Sequence, residues 1–327
     1  MHLFTHFEIP EIHQKIKYES RIALFGSCFS DMIGNKLSKS KFNTLSNPYG
    51  TIFNPISLID LLHDALHERV VDENLFVAQQ ELWVSYGMHA EIKAESQEAL
   101  KEKIVNLQEQ VAVYLKQASH LFLTFGTAYV YALKDRGHLV ANCHKRPGYL
   151  FKKRLLVLSE MKSQFRSFYL ALKAVNPNIH VSLTVSPVRH TKDGIPENQL
   201  SKCLLRVLCH EITQQHPEVH YFPSYEIMMD ELRDYRFYKD DLIHPSDWAE
   251  DYIFQKFLSS HLSEEAMQTL GKVKSINLDL AHRPFHPKGK AHLSFLQKLL
   301  DKMEQMPVEI DFSKEILMVK AQISNHF

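Results

Sequence analysis

Five short apolar runs, each closed by glycine, serine or proline and each followed by a helix-length stretch, constrain this chain most. They are Ile22–Phe25, Phe42–Leu45, His120–Phe125, Ile179–Val185 and Val219–Phe222. Between them lie segments of helical period. One opens near Phe29, with Met32, Ile33 and Leu37 on one face; another carries Leu58, Leu62, Ala65 and Leu66. A third runs from Ser96 to Gln117 on Leu100, Ile104, Leu107, Val111 and Leu115. A fourth, Leu155 to Val175, is stopped by Asn176-Pro177-Asn178, and a fifth follows the loop at His190–Pro196 and reaches Gln215. Strand and helix in strict alternation predict an α/β fold, a parallel doubly wound sheet flanked by helices in three layers, flavodoxin-like.

In such sheets the site lies at the carboxyl ends of the strands. Ser27, Asn47 to Gly50, Gly126, Ser186 and the 240–246 loop are therefore expected to share one rim. Leu75 to Met88 is expected to form a hairpin or an irregular insertion. Residues 128–150 read as an excursion that leaves the end of the sheet and returns. A helix with Ile253, Phe257 and Leu258 on its inner face follows His244. Residues 263–327 look mainly helical, with a stripe at Leu296, Leu299, Leu300 and Met303. The expected division is 1–262 for the sheet domain and 263–327 for a helical extension, packed on the sheet or forming a dimer interface.

Charge narrows the partners. The chain of 327 residues has a formal net charge of +0, so no global field draws it to nucleic acid or an anionic membrane. No stretch is long and apolar enough to span a bilayer. The amino terminus lacks the basic and apolar regions of a signal peptide. Cys28, Cys143, Cys203 and Cys209 have neither metal-site nor disulfide-framework spacing. Free thiols and a cytoplasmic location are expected.

The first run, Arg21 to Phe25, breaks into Gly26-Ser27-Cys28-Phe29-Ser30, and far downstream comes Asp241-Leu242-Ile243-His244. These supply the serine, acid and histidine of nucleophilic catalysis. The alternative for Ser27 is a helix N-cap. The alternative for Asp241 is a solvated loop acid, like its neighbour Asp240. Cys28 is a rival nucleophile, with His244 or His144 as base and a thiol acidified by the helix terminus. Lys145 and Arg189 stand at predicted strand ends, to hold an anionic substrate group or simply to pair with acids. His63 and His67 are one helical turn apart and read as a surface pair rather than metal ligands.

Six segments then match a known pattern in order: Gly26-Ser-Cys-Phe29, Asn47 to Pro55, Thr124-Phe-Gly-Thr127, Asn142-Cys-His-Lys145, Thr184 to Arg189 and Tyr221 to Glu226. Over roughly residues 1–260 the chain resembles the GSCFA-domain family, related to the SGNH (GDSL-like) hydrolases. The resemblance implies an SGNH-like core, Ser27 as nucleophile, and Asp241 and His244 as the acid–base pair. It implies oxyanion donors at the Ser27 N–H, at Gly50 and at an asparagine of the third block. Here Gly126-Thr127-Ala128 lacks that asparagine, and Asn142 is the preferred substitute, with Asn47 the other candidate. Asn47, Tyr49, Gly126, Lys145 and Arg189 are the expected substrate-binding residues. The implied activity is hydrolysis of an O-acyl ester, of a small molecule or a carbohydrate, without metal or organic cofactor. An acyltransferase on the same core, or a binding protein that has lost the chemistry, are the alternatives. The oligomeric state stays open.

Overall fold

The computed structural model describes residues 5–324. The five parallel strands are β1 (Arg21–Gly26), β2 (Asn43–Ser46), β6 (His120–Phe125), β10 (His180–Val185) and β11 (His220–Tyr221), in the order β11-β10-β6-β1-β2. In sequence terms this is the 2-1-3-4-5 order of flavodoxin-like sheets, and the order reverses between β1 and β6. The fold is the doubly wound α/β sheet the alternation predicts.

Two antiparallel additions interrupt the alternation. The first holds β3 (Phe76–Gln79), β4 (Leu82–Ser85) and β5 (Lys93–Ala94), and the second β7 (Tyr129–Leu133), β8 (Leu139–Val140) and β9 (Phe151–Leu155). The second corrects one expectation. Leu155 is not the start of a helix but pairs with Tyr129 across the β7–β9 ladder. Its apolar phase belongs to a strand, and the helix opens three residues later.

The helices are α1 (Cys28–Lys39), α2 (Pro55–Leu66), α3 (Gln97–Gln117), α4 (Leu158–Val175), α5 (Ile195–Gln215), a short α6 (Ser224–Glu226), α7 (Asp247–His261), α8 (Glu264–Ala281), α9 (Lys290–Glu304) and α10 (Ser313–Ser324). Strand alternation divides them between two faces. Ala23, Phe25, Leu121, Leu123, Val181 and Leu183 meet the inner faces of α2, α3, α4 and α5. Ile22, Leu24 and Phe122 meet α1 and α7. The same second core takes in Leu270 and Val273 of α8, Leu296 and Leu299 of α9, and Val319 of α10. Among the described residues no helix is long and apolar enough to cross a membrane.

The amino-terminal segment is strapped across the end of α7. Ile12 and Ile16 donate to the carbonyls of Ser260 and His261, and Ser263 donates back to Ile16. At that amino edge of the sheet, histidines cluster. His180 lies in register with His120, and His220 pairs with Ser182 one step along. His261 sits between Phe122, Phe222 and Phe257. Burial pushes His120 down to about 4 and His261 down to about 3.

These imidazoles fold neutral, while unfolded ones take up a proton near 6.5. The unfolded chain therefore binds more protons as the pH falls below that value, and stability drops until the folded pKa is reached. For His120 the whole window is worth on the order of 3 kcal/mol. Urea midpoints should fall between pH 6.5 and about 4, and His261→Phe should shallow that slope. An unchanged slope would show that His261 plays no part in the acid sensitivity.

Candidate active site

The serine turn is built by one glycine and one asparagine. Gly26 ends β1 at φ +131°, and a Cβ there would lie 2.1 Å from the Thr124 carbonyl oxygen. Only glycine lets β1 approach β6 this closely while turning into α1. Asn47 holds the turn from the other side: its Oδ1 accepts the Gly26 N–H at 2.8 Å and its Nδ2 donates to the Ser27 carbonyl at 3.4 Å. Its role here is to fasten the turn.

Ser27 caps α1, its Oγ accepting the Phe29 N–H at 3.3 Å. That is the hydroxyl's one hydrogen bond among the described residues. Ser27 is buried, at 1% exposed. The turn nests against the end of β6 and beneath the 47–54 loop, whose Ile52 N–H donates to the Gly26 carbonyl.

Asp241 and His244 form a compact unit. Asp241 Oδ2 meets His244 Nδ1 at 2.6 Å, while Oδ1 accepts the N–H groups of Ile243 and His244 at 2.8 and 3.0 Å. Leu242 takes a left-handed φ of +56° to make this possible. The His244 N–H, its ring and the Ile243 N–H together draw the Asp241 carboxyl down to about 2. It stays ionised and fixes the imidazole so that Nε2 is the free nitrogen. Both side chains are 44% exposed; the hydrogen bond of Ser27 Oγ among the described residues is to Phe29 and not to His244.

Arg189, at the end of β10, fastens this loop. Its N–H donates to the Ile243 carbonyl and its guanidinium to the Leu242 carbonyl at 2.8 Å. The loop thus hangs on the carboxyl edge of the sheet that also carries Ser27, Gly126 and Ser186. The guanidinium is engaged there, over the Tyr238 ring, rather than free for substrate.

Other expected residues fall in different places. Tyr49 is 1% exposed and belongs to the core, because its ring fills the face of the sheet packed on α2. The Gly126 N–H donates to the Phe53 carbonyl at 2.8 Å. Lys145 is exposed on the loop after β8. The Ser27 N–H is spent on Thr124 O at 3.1 Å and the Gly50 N–H on Asn47 O at 2.7 Å. Neither expected backbone donor is open, since each closes its own turn. Gly50 itself, at φ +74°, is required because the His89 ring lies where a Cβ would be. Asn142 Oδ1 accepts the His144 N–H.

Cys28 is half-buried, and burial followed by the Asp31 charge raises its thiol pKa. The expected acidification by the helix terminus is overridden by desolvation, so the group is held as a thiol. His144 is committed to the Ser85 carbonyl at 2.7 Å, in the adjoining sheets. The His63–His67 pair is in ring contact at 4.4 Å, and His63 is buried rather than on the surface because α2 turns that face toward α4.

Two residues of the rim escaped the sequence reading. Lys202, on α5, is buried, and His190 lies half-buried beside Gly126 with its Nε2 shielded and unpartnered. The available signal for Lys202 was its phase: it shares a face with Asn198, Leu205 and Cys209, all buried. A cavity of about 460 Å³ opens beside the Asp241–His244 loop, lined by Arg189, Gln199, Tyr225 and Tyr238. A larger one, about 770 Å³, lies along β11 under the amino-terminal strap, away from Ser27 and His244.

The family model "GSCFA family" matches residues 21–257, and "GSCFA domain protein, C-terminal domain" matches residues 273–325. No curated protein matches. Among solved structures, the chain is similar to a carbohydrate esterase family 3 protein from Talaromyces cellulolyticus, at 10% identity and a TM-score of 0.33, covering 78% of this chain and 99% of that one. It is also similar to an acetyl xylan esterase, Est2A, from the rumen bacterium Butyrivibrio proteoclasticus, at 11% identity and a TM-score of 0.35, covering 75% and 63%.

Proposed function

This chain belongs to the GSCFA family, and on that premise we propose that it is a serine hydrolase acting on an O-acyl ester. The observation that carries the reading is the Asp241–His244 pair, hydrogen-bonded at 2.6 Å on the same edge of the sheet as the serine at the head of α1.

In the proposed reaction His244 Nε2 takes the Ser27 hydroxyl proton as Oγ attacks the ester carbonyl carbon. The carbonyl π pair moves to oxygen, giving a tetrahedral oxyanion. Its collapse breaks the bond to the alcohol, which leaves with the proton from His244. Water then attacks the acyl-serine, gives its proton to His244, and the acid departs as Ser27 recovers its hydrogen. Asp241 holds the ring and supports the imidazolium in both halves. Admitting the ester to Oγ requires the Phe29 N–H contact to loosen and the 47–54 loop to yield.

A fluorophosphonate probe tests the assignment. One adduct per chain should form, mapped to Ser27, and be lost in His244→Ala. An adduct elsewhere, or none in folded protein, sinks the reading. Acetylated sugars and aryl esters form the substrate panel that follows.

A further inference from the structure

Lysine is almost never fully buried without a partner charge. Lys202 is 1% exposed, yet its Nζ makes one hydrogen bond among the described residues, to the Ser186 carbonyl at 2.7 Å. No carboxylate there forms an ion pair with it. The Tyr225 ring lies beneath it at 5.8 Å. Cys28 at the head of α1 and His190 on the β10 loop are the titratable groups close enough to feel its charge. Asp31 and Glu250 act on Cys28, and Asp193 and His244 on His190.

An ammonium kept dry with donors to spare is a costly object. It stands at the carboxyl ends of β1, β6 and β10, where the two expected backbone donors are already engaged by Thr124 O and Asn47 O. We propose that Lys202 is a positioning cation whose field, from across the turn, supports the negative charge formed at the Ser27 acyl centre. The assignment rests on the reading of Ser27 as nucleophile. Lys202 acts across the turn and through the Ser186 carbonyl, as a positioning charge, in a site dry enough for that charge to count. Burial lowers its pKa to about 7, so the support fades as the pH rises through neutrality.

The test follows aryl acetate hydrolysis by the full chain from pH 5.5 to 9.5. The wild type should lose kcat on the alkaline side. Lys202→Met should lower kcat at pH 6 by roughly tenfold, leave KM within a factor of two, and abolish the alkaline fall. A wild-type kcat with the alkaline fall intact in Lys202→Met overturns the proposal.

A second measurement needs no variant. Phenylboronic acid forms an anionic tetrahedral adduct on an activated serine. With ¹³Cε-labelled lysine, that adduct should raise the Lys202 titration midpoint by a unit or more. A midpoint that does not move when Ser27 carries the boronate refutes the role of Lys202 alone. Failure of both boronate and fluorophosphonate to modify Ser27 instead refutes the nucleophile reading beneath it.

Discussion

Ser27→Ala should remove ester turnover, by a factor on the order of 10⁴ to 10⁶, and leave a folded protein. The two roles of this serine have different magnitudes, which is why one substitution separates them. As an N-cap, Oγ accepts the Phe29 N–H at 3.3 Å, and losing such a cap costs about 1 kcal/mol. As a nucleophile it has no ready substitute: Cys28 beside it is held as a thiol by burial, and the Ser30 hydroxyl is engaged by Thr124 Oγ1 at 2.7 Å. The expected pair of results is a urea midpoint only slightly lowered and a rate at background. A variant within tenfold of wild-type turnover would reduce Ser27 to a cap and move the chemistry elsewhere.

Ending the chain after Leu262 should abolish cooperative folding. The boundary looks natural in sequence, since the sheet is complete by then. Packing opposes it. Val273, Leu296, Phe312 and Val319, none more than 3% exposed, share one core with Ile33 and Leu37 of α1 and with Phe42. Polar ties reinforce the contact: Lys41 pairs with Glu315 at 2.6 Å, and Asn277 donates to the Lys39 carbonyl at 3.0 Å. Each large apolar side chain returned to water forfeits about 1.5–3 kcal/mol, and a few such losses exceed a net stability of about 5–15 kcal/mol. Circular dichroism of the shortened chain on heating should show a broad, uncooperative change, or the protein should precipitate. A sharp transition near the full-length temperature would instead make residues 263–324 an appended unit.

The centre of the sheet was legible because β1, β6 and β10 are buried on both faces and so read as largely apolar runs. Where a strand has one exposed face the reading failed: Lys152-Lys153-Arg154 hides β9, and Leu155 was absorbed into the helix behind it. The Asp241–His244 pair was legible because the hydrogen bonds of the Asp241 carboxylate are made within four residues. The oxyanion donors were not. Whether the Ser27 N–H is free depends on Thr124, which only the register of β1 on β6 brings there. Lys202 and the histidines at the amino edge are contacts of the same kind, set by strands and a helix distant in sequence. Arg189 looked like a ligand for substrate because its long-range acceptors, the carbonyls of Leu242 and Ile243, leave no mark in the sequence.

The strap of residues 12–16 on the end of α7 also sets a clock. Ile12 and Ile16 find their acceptors only at Ser260 and His261. During synthesis this segment thus leaves the ribosome well before the residues that seat it. At about 5–20 residues per second, its wait is on the order of ten seconds or more. Through that interval Ile12 and Ile16 lack their native acceptors. The nascent chain therefore depends on its surroundings to keep that end from finding another partner first.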